Sequence, residues 1–220
     1  MGPTDEELRR LRAELEEKLA GRKCVVVGVG REERGDDAVG VRLAERLQAA
    51  LSSGGGTCGH ERLVSCGQPI RRSLGEGGTP PSAPPVIFVA GDVPENYAVK
   101  AADLRPEVVL LLDAAAMDLA PGSVRLLRAE DIPPVPGVTH RPSLEMFAAF
   151  VRLDCGAETC LLGIQPNMAR LGMGDSMSPE VEAALDTLEP LLIEVLSPSP
   201  EGPRSGIAGE GKETAQRSQG

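Results

Sequence analysis

Residues 24–51 read CVVVGVGREERGDDAVGVRLAERLQAAL, and this stretch decides the fold. Residues 24–29 are apolar and rich in β-branched side chains, with no polar interruption, as a strand covered on both faces requires. Residues 38–51 carry Val39, Leu43, Leu47 and Leu51 on one helical stripe. Between them runs a loop punctuated by Gly28, Gly30 and Gly35. Strand, glycine-rich loop and helix form the opening half of a parallel β-α-β unit.

Working outward, two more buried strands are expected at 86–90 (VIFVA) and 108–113 (VVLLLD). A third lies at 123–127 after the Pro121-Gly122 turn, and a fourth at 159–164 (TCLLGI). Helices are expected over 143–152 after Pro142, and from a cap at Ser178-Pro179-Glu180 to about 196, with proline at the first helical position. Residues 4–20 form a helix with Thr4 as N-cap and Glu7 as its capping-box partner. Leu8, Leu11, Leu15 and Leu19 give that helix an apolar stripe, which packs on the domain edge or, alternatively, makes a dimer contact. Strands alternating with helices give an α/β fold around a largely parallel sheet. The organisation is an N-terminal amphipathic helix (1–22), a main domain (23–196) and a tail without periodicity (197–220), expected to be disordered. The main domain carries a Gly/Pro-rich insertion at about 52–85, with a short strand near 61–65.

The composition excludes several classes. The chain has 220 residues, 41% hydrophobic and 25% charged, so one core-bearing domain suffices. There is no Trp, and Tyr97, Phe88, Phe147 and Phe150 are the only aromatics, too few for a base-stacking platform. A net charge of -10 lacks the basic footprint of a nucleic-acid binder. No apolar window reaches the roughly 18 residues of a membrane span. The acidic N-terminus is not a secretory signal, and Glu6 stands where a myristoylation motif needs Ser or Thr. Five cysteines without Cys-x-x-Cys spacing indicate neither a disulfide framework nor a zinc ribbon, and fit a reducing cytoplasm.

Functional groups of open α/β sheets gather beyond the carboxyl ends of the strands. Three candidates fall there. The loop from Gly28 to Asp37 fails as a dinucleotide fingerprint, because its glycines run G-x-G-x-x-x-x-G. It fails as a P-loop because Gly35 precedes Asp36 rather than Lys. The Asp36-Asp37 pair also suits simple capping of a helix N-terminus. Asp113 ends an otherwise apolar strand, where a carboxylate is either paired with backbone amides or bound to something else. His140, one of two histidines, stands at a loop-to-helix junction, where a structural hydrogen bond is the alternative to a ligand role. Together, two carboxylates and an imidazole make a mixed oxygen and nitrogen set for a divalent cation, with positions left open. Cys58, His60 and Cys66 lack a fourth partner for a metal site. Cys24 and Cys160 read as small core residues. Met117, Met168, Met173 and Met177 could line an adaptable protein-binding surface.

The segments GVGREERGDDAVGVRLAERL, GDVPENYAVKAADLRPEVVLLLDAAAMDLAPGSVRLL, VTHRPSLEMF and LLGIQPNMARLGMGDSMSPEVEAALDTL resemble, in this order, the hydrogenase maturation endopeptidases. The similarity spans about residues 24–195 apart from the 52–85 loop. It implies a three-layer α/β/α sandwich with a twisted, mostly parallel sheet of about five strands. It also implies a cytoplasmic endopeptidase that removes the C-terminal extension of a nickel–iron hydrogenase large-subunit precursor once nickel is inserted. The family's nickel-recognising acid falls on Asp37, its second acid on Asp113 and its histidine on His140, with Asp37 and Asp113 as the catalytic pair and the water activated either by the metal or by these carboxylates as general bases. Nickel is then expected to arrive with the substrate, and another divalent cation can substitute. Arg31 and Gln165 fall where substrate contacts are expected, although for Gln165 strand-to-loop geometry is the favoured role. The expected complex with the precursor is transient and one-to-one, and the protein a monomer. Arg31 replaces the family's usual Asn, and Ala38 its frequent Gly. The competing reading is a catalytically silent precursor-binding chaperone or nickel sensor.

Overall fold

The computed structural model describes residues 2–53, 84–128, 141–171, 174 and 176–197. Five strands, β1 (Cys24–Val29), β2 (Val86–Gly91), β3 (Val108–Ala114), β4 (Val124–Arg128) and β5 (Glu158–Ile164), form one sheet in the order β2-β1-β3-β5-β4. β1, β2, β3 and β5 run parallel, and β4 lies antiparallel along β5. The helices are α1 (Asp5–Leu19), α2 (Val39–Ser53), α3 (Ala98–Asp103), α4 (Arg141–Cys155) and α5 (Pro179–Leu196). The fold is the three-layer α/β sandwich expected from the sequence.

Strand alternation sorts the core into two layers. Val26, Leu110, Leu112 and Leu162 face α1, α2 and α5. Val27, Leu111 and Leu161 face α3 and α4, where Phe147 fills the centre. Every residue of β1 and β3 is buried, which is why these strands read as unbroken apolar runs. Residue 113 falls in the same alternation as Val109 and Leu111, so Asp113 belongs to the α3/α4 face.

α1 closes the β4 side of the sheet against α5. Its capping box forms as read, Thr4 Oγ1 accepting from the Glu7 amide while Glu7 accepts from the Thr4 amide. Leu11, Leu15 and Leu19 are buried in the chain's own core, so the apolar stripe packs on the domain edge. Each such leucine contributes about 1.5–3 kcal/mol relative to an exposed one.

Some boundaries differ from the reading. The helix expected over 143–152 extends across Arg141–Cys155. α3 and the 3-10 turn Pro94–Tyr97 before it were not anticipated, being too short to show a period. Ser178 stands at the N-cap of α5 with Pro179 following, but its side chain makes no capping bond. The strand expected near 61–65 and the tail beyond 197 lie outside the described residues. No helix among the described residues is long and apolar enough to cross a membrane.

Candidate active site

The first loop is built on close backbone approaches. Gly30 has φ 131°, and a Cβ there would sit 1.9 Å from the Asp37 carbonyl oxygen. The loop folds back on itself, tied by the Gly30 amide donating to the Gly91 carbonyl at 3.0 Å and the Asp37 amide to the Arg34 carbonyl at 3.1 Å. The 3-10 turn Gly35–Ala38 that follows is wholly buried. Within it the two acids part company. Asp36 Oδ1 accepts from the Ser178 amide at 2.6 Å, and its Oδ2 accepts from the Ser178 hydroxyl and the Asn167 amide, both at 2.8 Å. Asp37, 3% exposed, turns its Oδ2 to the Arg31 amide at 3.3 Å.

The next helix brings the first loop against β3. A Cβ at Gly40 would lie 2.0 Å from the Leu112 carbonyl oxygen and 2.4 Å from that of Val29. The start of α2 is therefore seated across the carboxyl ends of β1 and β3, one residue from Asp113. Asp113 is 2% exposed, lies opposite Gly163 of β5, and accepts from the Ala114 amide at 2.8 Å. β1 leads through α2 to β2 on one side of the sheet, while β3 leads onward to β4 and β5 on the other. Asp37, in the turn after β1, and Asp113, near the carboxyl end of β3, thus lie beside the switch point, where α/β sheets open a crevice.

α4 completes the edge. Only Gly156 and Ala157 separate its last residue from β5, so its C-terminus lies at the amino ends of the strands. Its first residue, Arg141, accordingly lies at the carboxyl edge, and the Pro94–Tyr97 turn that follows β2 packs against the helix. His140 precedes Arg141 and lies outside the described residues, as do Cys58, His60, Cys66 and Met173. Among the described residues no group of three His, Cys, Asp or Glu side chains is placed to hold a metal ion. The structure therefore brings two of the three expected ligands, Asp37 and Asp113, to one sheet edge.

Arg31 lies on the same edge, with Nε donating to Asp92 Oδ2 at 3.0 Å and its side chain 40% exposed. Gln165 is 2% exposed. Its Oε1 accepts from the Met117 and Leu119 amides at 2.6 and 3.3 Å, and its amide donates to the Pro166 carbonyl at 3.1 Å. That side chain fastens the loop after Asp113 to the end of β5. Of the methionines, Met168 is exposed, whereas Met177 packs against one core layer and Met117 against the other. Sequence reading missed the junction of Asp36 with Ser178 and Asn167. Nothing in two adjacent acids says which of them is tied to a segment 131 to 142 residues away.

A family model described as hydrogenase maturation protease matches residues 82–195. The hydrogenase 3 maturation protease of Escherichia coli K12 is 28% identical over 165 residues, covering 74% of this chain and 85% of that protein. The crystal structure of a [NiFe] hydrogenase maturation protease from Thermococcus kodakarensis superposes with a TM-score of 0.62 at 25% identity, covering 83% of this chain and 98% of the other. The solution structure of an Escherichia coli endopeptidase superposes at 0.52 with 26% identity, covering 76% and 87%.

Proposed function

The chain belongs to the hydrogenase maturation protease family of endopeptidases, and from that membership we propose that it removes the C-terminal extension of a nickel–iron hydrogenase large-subunit precursor after nickel insertion. The observation that carries the proposal is the position of Asp37 and Asp113, two buried carboxylates at the ends of neighbouring strands, joined by the seating of α2 on Leu112.

In this reading nickel comes as part of the substrate, held by the precursor, and another divalent cation can take its place. Asp37 and Asp113 offer it carboxylate oxygens and His140 a ring nitrogen, a donor set suited to nickel. Engaging the ion sets the scissile peptide in the crevice, which makes cleavage conditional on correct loading. Asp37 or Asp113 accepts a proton from the attacking water, hydroxide adds to the scissile carbonyl, and the proton passes to the leaving amine as the C–N bond breaks. Nickel, as a Lewis acid, polarises the reacting groups. Arg31, steadied by Asp92, faces the incoming tail. Gln165 acts by holding the 117–119 backbone beside the crevice. The encounter is a transient one-to-one complex in the cytoplasm.

The test is to incubate the protein with nickel-loaded precursor and weigh the products. A shortened subunit together with the released peptide is expected. A precursor that binds but keeps its full mass would instead identify a silent chaperone.

A further inference from the structure

α4 is apolar on two sides. Leu144, Phe147, Ala148 and Val151 are buried at the spacing i, i+3, i+4, i+7, the stripe that a helix packed on a sheet needs. Met146, Ala149, Phe150 and Leu153 repeat that spacing two residues on, which turns them about 200° around the axis to the outer side. There Met146 is 56%, Phe150 38% and Leu153 83% exposed, with Ala149 half-buried. A helix that is apolar all round is ordinarily covered all round. Val99 of α3, which packs alongside α4, is exposed as well. The three large side chains of the stripe together expose about 350 Å², the size at which a patch on a monomer commonly serves an interaction. The exposed charges beside it balance, Lys100, Arg105 and Arg152 against Asp103, Glu145 and Asp154, in a chain whose net charge is -10.

We propose that the outer face of α4 docks an apolar, near-neutral patch on the folded body of the precursor, beside the C-terminal extension that enters the crevice. The proposal rests on the reading above for the identity of the partner. α4 starts at the carboxyl edge of the sheet. Met146 lies about 7 Å along the axis from the first residue of the helix, and the stripe runs on for about 10 Å to Leu153. The stripe is thus continuous with the edge where the extension is cleaved, and one partner spans both. A second copy of the chain seated on the same stripe would bury about twice the exposed area, short of the roughly 1,200 Å² at which stable interfaces begin. The balanced charge favours a partner patch that is apolar and near-neutral over a strongly basic one.

The test titrates nickel-loaded precursor into the full-length parent, Met146→Glu, Leu153→Glu and Ala13→Glu, and measures affinity by calorimetry and subunit shortening by mass. Ala13 is exposed on α1, which packs on the opposite face of the sheet, so its variant carries the same added charge away from the stripe. Met146→Glu and Leu153→Glu are each expected to bind the precursor at least about tenfold more weakly, as when a buried apolar contact gives way to a charge. Ala13→Glu is expected to bind like the parent. All four are expected to melt within about 2 °C of one another. Parent-like affinity in both stripe variants would overturn the docking site and leave the cleavage reading intact. Binding that weakens as expected while the parent leaves the precursor at full mass would uphold the docking site and contradict cleavage instead. A parent that sediments as a dimer split by Leu153→Glu would assign the stripe to a second copy and overturn the proposal. A melting midpoint lowered well beyond 2 °C in both stripe variants would assign it to the chain's own residues, with the same consequence.

Discussion

Asp36 and Ser178, 142 residues apart, are joined by two hydrogen bonds, from the serine amide at 2.6 Å and from its hydroxyl at 2.8 Å. With the Asn167 amide at 2.8 Å, the buried carboxylate collects three donors from the segment between β5 and α5. It therefore locks the first loop to the segment between β5 and α5, while its neighbour Asp37 turns to the Arg31 amide. Replacing Asp36 by Ala leaves buried donors unsatisfied and is expected to cost about 3 kcal/mol of stability, read as a lower urea midpoint at unchanged slope. Asp37→Asn is expected to move that midpoint far less.

A second prediction concerns the seating of α2. Because a methyl group at residue 40 would overlap the Leu112 and Val29 carbonyl oxygens, both backbone, neither neighbour can simply rotate away. Gly40→Ala is expected to destabilise by about 1–3 kcal/mol, although alanine is the better helix former. Thermal unfolding gives the answer, and an unchanged or raised midpoint would show that α2 does not rest on the two strand ends.

The third is a pH dependence. Hydrogen bonds from Lys18 and then Arg22 hold the Glu158 carboxyl below its ordinary value of 4.5, which ties α1 and the chain after it to β5. A carboxyl lowered in the folded state contributes its full stabilisation above the unfolded value and loses it as the pH falls through the lowered one. Glu158→Gln should thus be less stable than the parent at pH 7, by under about 1 kcal/mol for a pair this exposed. The difference should close in acid. A difference that widened in acid would reverse the sign.

The sequence made legible what is local. The runs Cys24–Val29 and 108–113 announce burial on both faces, whereas 86–90, equally apolar and expected to be buried, is the edge strand β2, with Val86 exposed and only Ile87 and Ala90 buried; Ser178-Pro179 marks the start of α5. Asp113 stands out because a charge ends an apolar run. What stayed hidden is set by partners distant in the chain. The antiparallel direction of β4 follows from its pairing with β5, not from its own residues. The Ser178 hydroxyl, expected to cap a helix, goes to Asp36 instead. Asp36 and Asp37 look interchangeable in sequence, and only the fold assigns one to the scaffold and the other to the sheet edge. Gln165, which could have been a substrate contact, makes its hydrogen bonds to backbone groups.

The central claim is that Asp37 and Asp113 act together, with His140, on a nickel-bearing substrate. The most direct measurement compares cleavage of nickel-loaded and nickel-free precursor by the parent, Asp37→Asn, Asp113→Asn and His140→Ala proteins, each first shown to be folded by thermal melting. The account predicts that only the parent shortens the subunit, only when nickel is present, and that each variant loses at least about a hundredfold in rate, in the range found when an acid–base group is removed. Parent-like cleavage by Asp37→Asn or Asp113→Asn, or equal cleavage of the nickel-free precursor, would contradict it.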